Sequence, residues 1–356
     1  MNLERVEKIA EAVLYEGYML YPYRPSSVKN QQRWNFGVLG PPAWCDQQLG
    51  SEASTMQTEC LVRANPRTRL TVKIRFLQLV QRSVGELCTP GQETPEGITP
   101  EFDLVDRLAV GDRVFQPWQE AVEREHISTA LHPFSLASSP PLRFSFAAGK
   151  ELESVRDEQG QAVGVIVREW ETLHGSIEWD AEVVDTGGKE DRIVRLTVRV
   201  RNLTPCAVTE ATKRETALMF SLVSAHTILG VEEGEFLSLL DPPPGLEALA
   251  AGCNNIGTWP VLVGDQAETV LSSPIILYDH PQIAPESAGN LFDATEIDEI
   301  LSLRILTLTD DEKREMRQSD QRAREILERT ENMPEEQFMK LHGVLRGLTP
   351  LSEEER

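Results

Sequence analysis

Two runs in this chain leave little choice of backbone. In Arg69-Leu-Thr-Val-Lys-Ile-Arg-Phe, the apolar Leu70, Val72, Ile74 and Phe76 alternate with Thr71, Lys73 and Arg75. Val194, Leu196, Val198 and Val200 alternate in the same way with Arg195, Thr197, Arg199 and Arg201. Successive side chains on a strand point to opposite faces, so each run predicts a strand with one buried and one polar face. Val163 to Val167 reads as a further, apolar strand, and Ile177 and Trp179 alternate within 175–184. Asp185-Thr-Gly-Gly-Lys is a turn signal between two such runs and predicts an antiparallel hairpin. The 69 and 195 runs resemble each other, as two amphipathic strands do independently; a duplicated sandwich unit is the alternative, and nine residues are too few to claim it. The expected fold is mainly β, of the α+β class, with an antiparallel, sandwich-like core and helices at both termini.

Residues 3–15 read as a helix, with Leu3, Val6, Ile9, Ala10, Val13 and Leu14 on one stripe and Glu4, Glu7, Lys8 and Glu11 opposite. Near the other end Ile297, Ile300 and Leu301 suit a helix capped by Asp293 or Thr295. Thr309-Asp-Asp-Glu is a capping box opening a helix over 310–330, and Pro334 opens another. Residues 40–66 read as loop with one short strand, 85–112 as a loop around a helix at 101–109, and 120–125 as a polar linker. Phe134 to Leu136, Leu142 to Phe146, Val261 to Val263 and Ile275 to Tyr278 are short strand candidates, and Leu246 to Ala251 a short helix. The run 217–229 fits helix or strand, closed by Gly230. Asp241-Pro-Pro-Pro-Gly marks a boundary between lobes. Three regions follow: an N-terminal helix and arm at 1–50, a β-rich core at 51–241, and a β/α lobe at 242–356 ending in charged helices.

With 57 acidic against 35 basic residues the net charge is −22, which repels nucleic acid and anionic membranes and favours basic partners. The cysteines at 45, 60, 88, 206 and 253 form no C-x-x-C pair and point to reduced thiols in a cytosol. No window approaches the roughly 18 apolar residues of a membrane span, and residues 1–8 lack a signal-peptide core. The expected setting is soluble and cytoplasmic.

Two segments concentrate the chemistry. Tyr15, Tyr18, Tyr21 and Tyr23 are four of the five tyrosines and lead into Arg24, Lys29, Arg33 and Trp34. Rigid rings beside cations suit a contact surface, which selects Tyr21, Tyr23, Arg24, Lys29, Arg33 and Trp34 as binding residues. The competing reading is an extended arm, directed by Pro22 and Pro25, packed on its own chain. The second segment runs from Ser273 to Glu299. Asp279, His280 and Glu286, helped by Asp293 or Glu296, are candidate ligands for a divalent metal. The competing reading is a structural loop in which Asp279 accepts backbone N–H groups. His226, alone in an apolar run, reads as a satisfied core residue. No G-x-S-x-G, Walker A or G-x-G-x-x-G motif is present, so no catalytic residue and no cofactor beyond that metal is assigned.

Residues 12–39, from Ala12-Val-Leu-Tyr-Glu-Gly-Tyr onward, resemble, together with Ser273-Pro-Ile-Ile-Leu-Tyr-Asp-His-Pro-Gln and Phe292-Asp-Ala-Thr-Glu-Ile-Asp, an uncharacterised bacterial family. That family is associated with gene clusters of high-affinity uptake nickel-iron hydrogenases. The resemblance implies an accessory or assembly role and carries no catalytic residue. The leading expectation is a cytoplasmic accessory protein that binds a partner protein, more readily a binder than an enzyme. The alternatives are a metal-dependent enzyme centred on Asp279, His280 and Glu286, and a structural homo-oligomer.

Overall fold

The computed structural model describes residues 3–15, 23–24, 35–91, 100–185, 192–282, 298–319, 321–334 and 336. Helix α1 (Leu3–Leu14) precedes β1 (Thr55–Leu87), a single strand of 33 residues. Straight, such a strand would run roughly 110 Å at about 3.3 Å per residue, well beyond the span of a compact domain of this length. It must bend, and Asn65-Pro66-Arg67-Thr68 is where it does. Ala64 pairs with Gly234 and Arg69 with Glu232 of the neighbouring strand β11 (Val223–Leu237), so residues 65–68 lie opposite Glu233 alone. Thr68 Oγ1 accepts from Asn65 N–H at 2.8 Å and donates to Glu233 O at 2.5 Å, while Asn65 Oδ1 accepts from Arg67 N–H. Glu233 takes up the bend at φ +52°. A Cβ on Gly234 would stand 2.9 Å from Arg63 O, which requires glycine there.

Among the described residues five strands pair with β1, all antiparallel: β2 (Phe102–Val105), β5 (Trp118–Ile127), β8 (Ala162–Trp170), β10 (Arg192–Asn202) and β11. The sheet holds eleven strands among the described residues. One path through it runs β12 (Trp259–Leu262), β13 (Thr269–Ser273), β11, β1, β10, β9 (Leu173–Asp185), β6 (Leu142–Phe146), and β7 (Gly149–Arg156) pairs with β8. A separate hairpin joins β3 (Leu108–Val110) to β4 (Arg113–Phe115). Strand β6 is three steps from β1 along that path, yet Phe144 and Phe146 bring their rings to 6.1 and 5.7 Å from Phe76. The sheet therefore curls over one core. Val62, Leu70, Val72, Ile74 and Phe76 meet Val194, Leu196, Val198 and Val200 inside it, the two alternating runs that announced the fold.

On the opposite face Leu77 and Leu79 pack under helices. Leu14 of α1 joins Leu301 and Ile305 of α2 (Asp298–Leu306), Met316 of α3 (Asp310–Ser319) and Ile326 and Leu327 of α4 (Gln321–Glu331). The capping box opens α3 as expected: Glu312 N–H donates to Thr309 Oγ1 at 3.3 Å, and Thr309 N–H to Glu312 Oε2 at 2.9 Å. None of the described helices is long and apolar enough to cross a membrane.

Several stretches correct the sequence reading. Residues 55–66 belong to β1, 102–105 and 108–110 are strands where a helix was expected, and 118–127 is strand β5 rather than a linker. Charge disguised β5, because its acidic residues are paired: Glu120 with Arg82 and Arg168, Glu123 with Arg75 and Arg322, Glu125 with Lys73. Phe134 to Leu136 lie in a 3-10 turn, β11 runs on past Gly230 to Leu237, and the charged C-terminal stretch is two helices rather than one. Residues 275–278 are not a strand: β13 ends at Ser273, before Pro274, which has no N–H to continue the ladder. Strands from both sides of Asp241 share the one sheet.

Phe76, fully buried where β6 closes over β1, carries the curl. Phe76→Ala is expected to lower unfolding free energy by about 3–5 kcal/mol in urea titrations, against about 0.5 kcal/mol or less for Leu104→Ala at an exposed site.

Candidate functional site

The stretch that follows the aromatic and basic segment meets the start of the second segment at a defined point. Residues 36–39 lie along the start of β11: Ser224 N–H donates to Phe36 O at 3.1 Å, Ala225 N–H to Gly37 O at 3.0 Å, and Leu39 exchanges both backbone bonds with Leu222. Here β11 carries a bulge, since Arg75 pairs with His226 and Leu77 with Val223, which places two β11 residues against one of β1. Ser224 takes φ +53° to make it. Gly37, at φ +51°, packs so closely on Pro274 that a Cβ would lie 2.6 Å from that ring. The end of the arm thus rests on the first residue of the loop that follows β13.

A buried polar cluster sits beneath this contact. His226 is fully buried, and its Nδ1 lies 2.7 Å from Ser224 O, so that nitrogen carries the hydrogen. Nε2 then accepts from Ser273 Oγ at 3.2 Å, and Ser273 Oγ accepts from Ile275 N–H at 3.1 Å. The histidine fixes the serine, and the serine fixes the turn out of β13. Burial, together with the Arg75 charge, outweighs the bond to Ser224 and pushes the imidazole pKa down to about 4. Ser272, one residue earlier and so on the other face, bonds Thr58 Oγ1 at 2.7 Å and Thr258 Oγ1 at 2.8 Å. Ser224 Oγ, Thr227 Oγ1 and Asn35 Oδ1 are buried at this junction without a hydrogen-bond partner, an unusual concentration of unsatisfied polar atoms.

Beyond the turn the loop alternates without being a strand. Leu277 packs inward towards Val261, Leu271 and α1, while Ile276 and Tyr278 stand 69% and 84% exposed. Asp279 and His280 then tie the loop to β12. Asp279 Oδ1 accepts from Leu262 N–H at 2.7 Å and Oδ2 from Ser238 Oγ at 2.5 Å. His280 donates its N–H to Leu262 O at 2.7 Å and its Nδ1 hydrogen to Gly264 O at 2.6 Å. His280 adopts φ +55°, at a cost of roughly 1–3 kcal/mol for a residue with a Cβ. Of the candidate metal ligands, Asp279 and His280 are engaged by the scaffold, and Glu286 lies outside the described residues, as do Asp293 and Glu296. Among the described residues no group of three or more His, Cys, Asp or Glu could hold a metal ion.

Of the six candidate contact residues, Tyr23 and Arg24 are described, and Tyr21, Lys29, Arg33 and Trp34 lie outside the described residues. Tyr23 is core rather than contact surface: it is 3% exposed, and its carbonyl accepts from Ser319 Oγ at 3.0 Å. Arg24 pairs with Glu312 at 2.6 Å and with Glu315 at 3.8 Å, which anchors this part of the arm to α3. His226 occupies the satisfied core position expected of it. Ser224 and the Thr58-Ser272-Thr258 trio went unnoticed in the sequence, and Ser273 marked only the start of a segment, because hydroxyls in apolar strands carry no spacing signal. The Ser-Pro step at 273–274 and Gly37 were the only local cues.

The unfolded chain protonates His226 near pH 6.5, whereas the folded one holds it neutral to about pH 4, so stability falls as pH drops through that window. Between pH 7 and 5 this single group removes about 2 kcal/mol. In denaturant titrations at the two pH values, His226→Gln is expected to flatten the pH dependence by that amount. Parallel slopes for the two proteins would contradict the assignment. The chain matches no known protein-family model and no curated protein sequence.

Proposed function

We propose that this chain is an accessory protein that binds a partner polypeptide through the surface where residues 35–38 meet the loop 274–282. The observation that carries the reading is the combination of exposure and anchorage in that loop. Ile276 and Tyr278 face outward, and two further rings are 44% exposed at positions beside the loop's start, Phe36 preceding the Gly37 that packs on Pro274 and Trp259 paired with Ser273, while Ser273, Asp279 and His280 bind the loop's backbone path to the scaffold. Large apolar side chains presented on a fixed path lose little freedom on binding, which is how contact surfaces gain affinity. The curled sheet, in the sandwich-like arrangement expected from the sequence, acts as the rigid platform. The charge of −22 favours a partner with a basic surface. The resemblance of 12–39, 273–287 and 292–301 to a hydrogenase-associated family makes an immature hydrogenase polypeptide the first partner to try, in a cytoplasmic setting.

A photo-crosslinking residue placed at Ile276 or Tyr278 in the native host is expected to capture one polypeptide reproducibly, and the same residue at Leu49 or Leu104, exposed elsewhere, to capture none. Tyr278→Ala combined with Ile276→Ser should reduce recovery of that partner by about tenfold or more. Equal capture at all four positions sinks the reading. Metal analysis of untagged protein forms the other arm: stoichiometric metal lost in His280→Ala would move the assignment to the metal-dependent alternative.

A further inference from the structure

Among the described residues strand β12 ends the sheet, and its outward backbone groups are few. Val261 pairs with Leu271 on the β13 side, and Val263 N–H donates to Thr269 O at 2.9 Å, so the peptide groups of Pro260 and Leu262 turn outward. Pro260 has no N–H to offer. The outward donor left in the strand is Leu262 N–H, held by Asp279 Oδ1, and Leu262 O takes His280 N–H, both at 2.7 Å. One of these bonds has the form of a sheet ladder, and in the other a carboxylate stands in for a strand carbonyl. Among the described residues, the bend at 279–280 fills the positions an added strand would use.

We infer that Asp279 and His280 occupy a strand-addition site, and that the occupant they exclude is β12 of a second copy of this chain. An uncovered edge is a template for pairing, and an antiparallel strand pairs with itself about a two-fold axis, so one short segment supplies both sides. Trp259, at the start of β12, and Tyr278, beside the bend, are exposed and give that edge an apolar flank. The net charge of −22 opposes association of two copies but is screened by salt and does not act on an edge locally. A directional block at Leu262 supplies what charge cannot.

The test is solution mass by light scattering over a concentration series in salt high enough to screen the charge, with amide exchange at 260–262. Asp279→Ala is expected to form a concentration-dependent dimer with slowed exchange at Leu262. Pro260→Ala with Asp279→Ala restores a second outward donor and should dimerise at about fivefold to tenfold lower concentration, one hydrogen bond's worth on each side. Asp279→Asn keeps an acceptor oxygen and should match the unaltered protein. If Asp279→Ala does not fold, Ser238→Ala, which loosens Asp279 Oδ2 and also frees the Leu240 and Asp241 N–H groups, should give a weaker form of the same shift. Folded variants of unchanged mass, or added mass without protection at Leu262, overturn the inference.

Discussion

The reach of β1 governs this molecule. A strand of 33 residues cannot lie straight inside a domain of this length, so the four residues 65–68 decide how everything else is arranged. Once β1 and β11 bend together at Thr68 and Glu233, the strands hung on the first half of β1 are carried back over the second half. That brings Phe144 and Phe146 onto Phe76 although no ladder joins β6 to β1. The apolar half of the alternation ends up enclosed by the sheet itself. The other half has to be covered by something else.

That cover is helical, and the polar side chains of the alternation are what position it. Lys73 and Arg75 point away from the enclosed core but not into water, and Arg82, further along β1, is buried as well: their side chains are 8%, 11% and 5% exposed. Lys73 reaches Glu7 of α1 as well as Glu125, and Arg82 donates to Ser319 O at the end of α3. Glu123 gathers Arg75, Arg322 of α4 and the Tyr15 hydroxyl, while Arg322 stacks 3.9 Å above the Tyr15 ring. Burial lowers the Arg82 pKa more than Glu120 restores it, whereas for Lys73 Glu125 and Glu7 more than offset burial. Buried pairs of this kind contribute little net stability against apolar replacements, because desolvation offsets their attraction. Their effect is on arrangement: α1, α3 and α4 each have one place on the sheet where these charges are met.

This explains which parts of the molecule were legible in the sequence. Period-2 alternation in 69–76 and 194–200 announced strands because the inner face is uniformly apolar, and the capping box at Thr309 announced α3 because its bonds are local. β5 was hidden, since Glu120, Glu123 and Glu125 look solvated until their partners from β1, β8 and α4 are known. The bend at 65–68 was hidden for a related reason: Asn-Pro reads as a loop, and only the facing Glu233 and Gly234 reveal that the ladder resumes. At the junction, Asp279 was legible as an acceptor of backbone N–H in a turn, the bland reading of that residue. That the donor would be the edge of β12 depends on sheet order, which no local pattern encodes.

Strain in the backbone gathers at that same junction. Gly37, Ser224 and His280 all sit at positive φ within the stretch that brings the arm, the β11 bulge and the loop after β13 together. A left-handed conformation at a serine and a histidine persists only where surrounding bonds over-determine it, and here they do: Ser224 through Phe36 and His226, His280 through Leu262 and Gly264. The effect is a loop whose course is fixed at Ser273 and again at Asp279, leaving the residues between with no choice but to alternate. Leu277 goes in, and Ile276 and Tyr278 go out. Held at Ser273 and again at Asp279 and His280, Ile276 and Tyr278 cannot turn in, so the same interactions that end the sheet also compel the outward-facing surface on which recognition would rest.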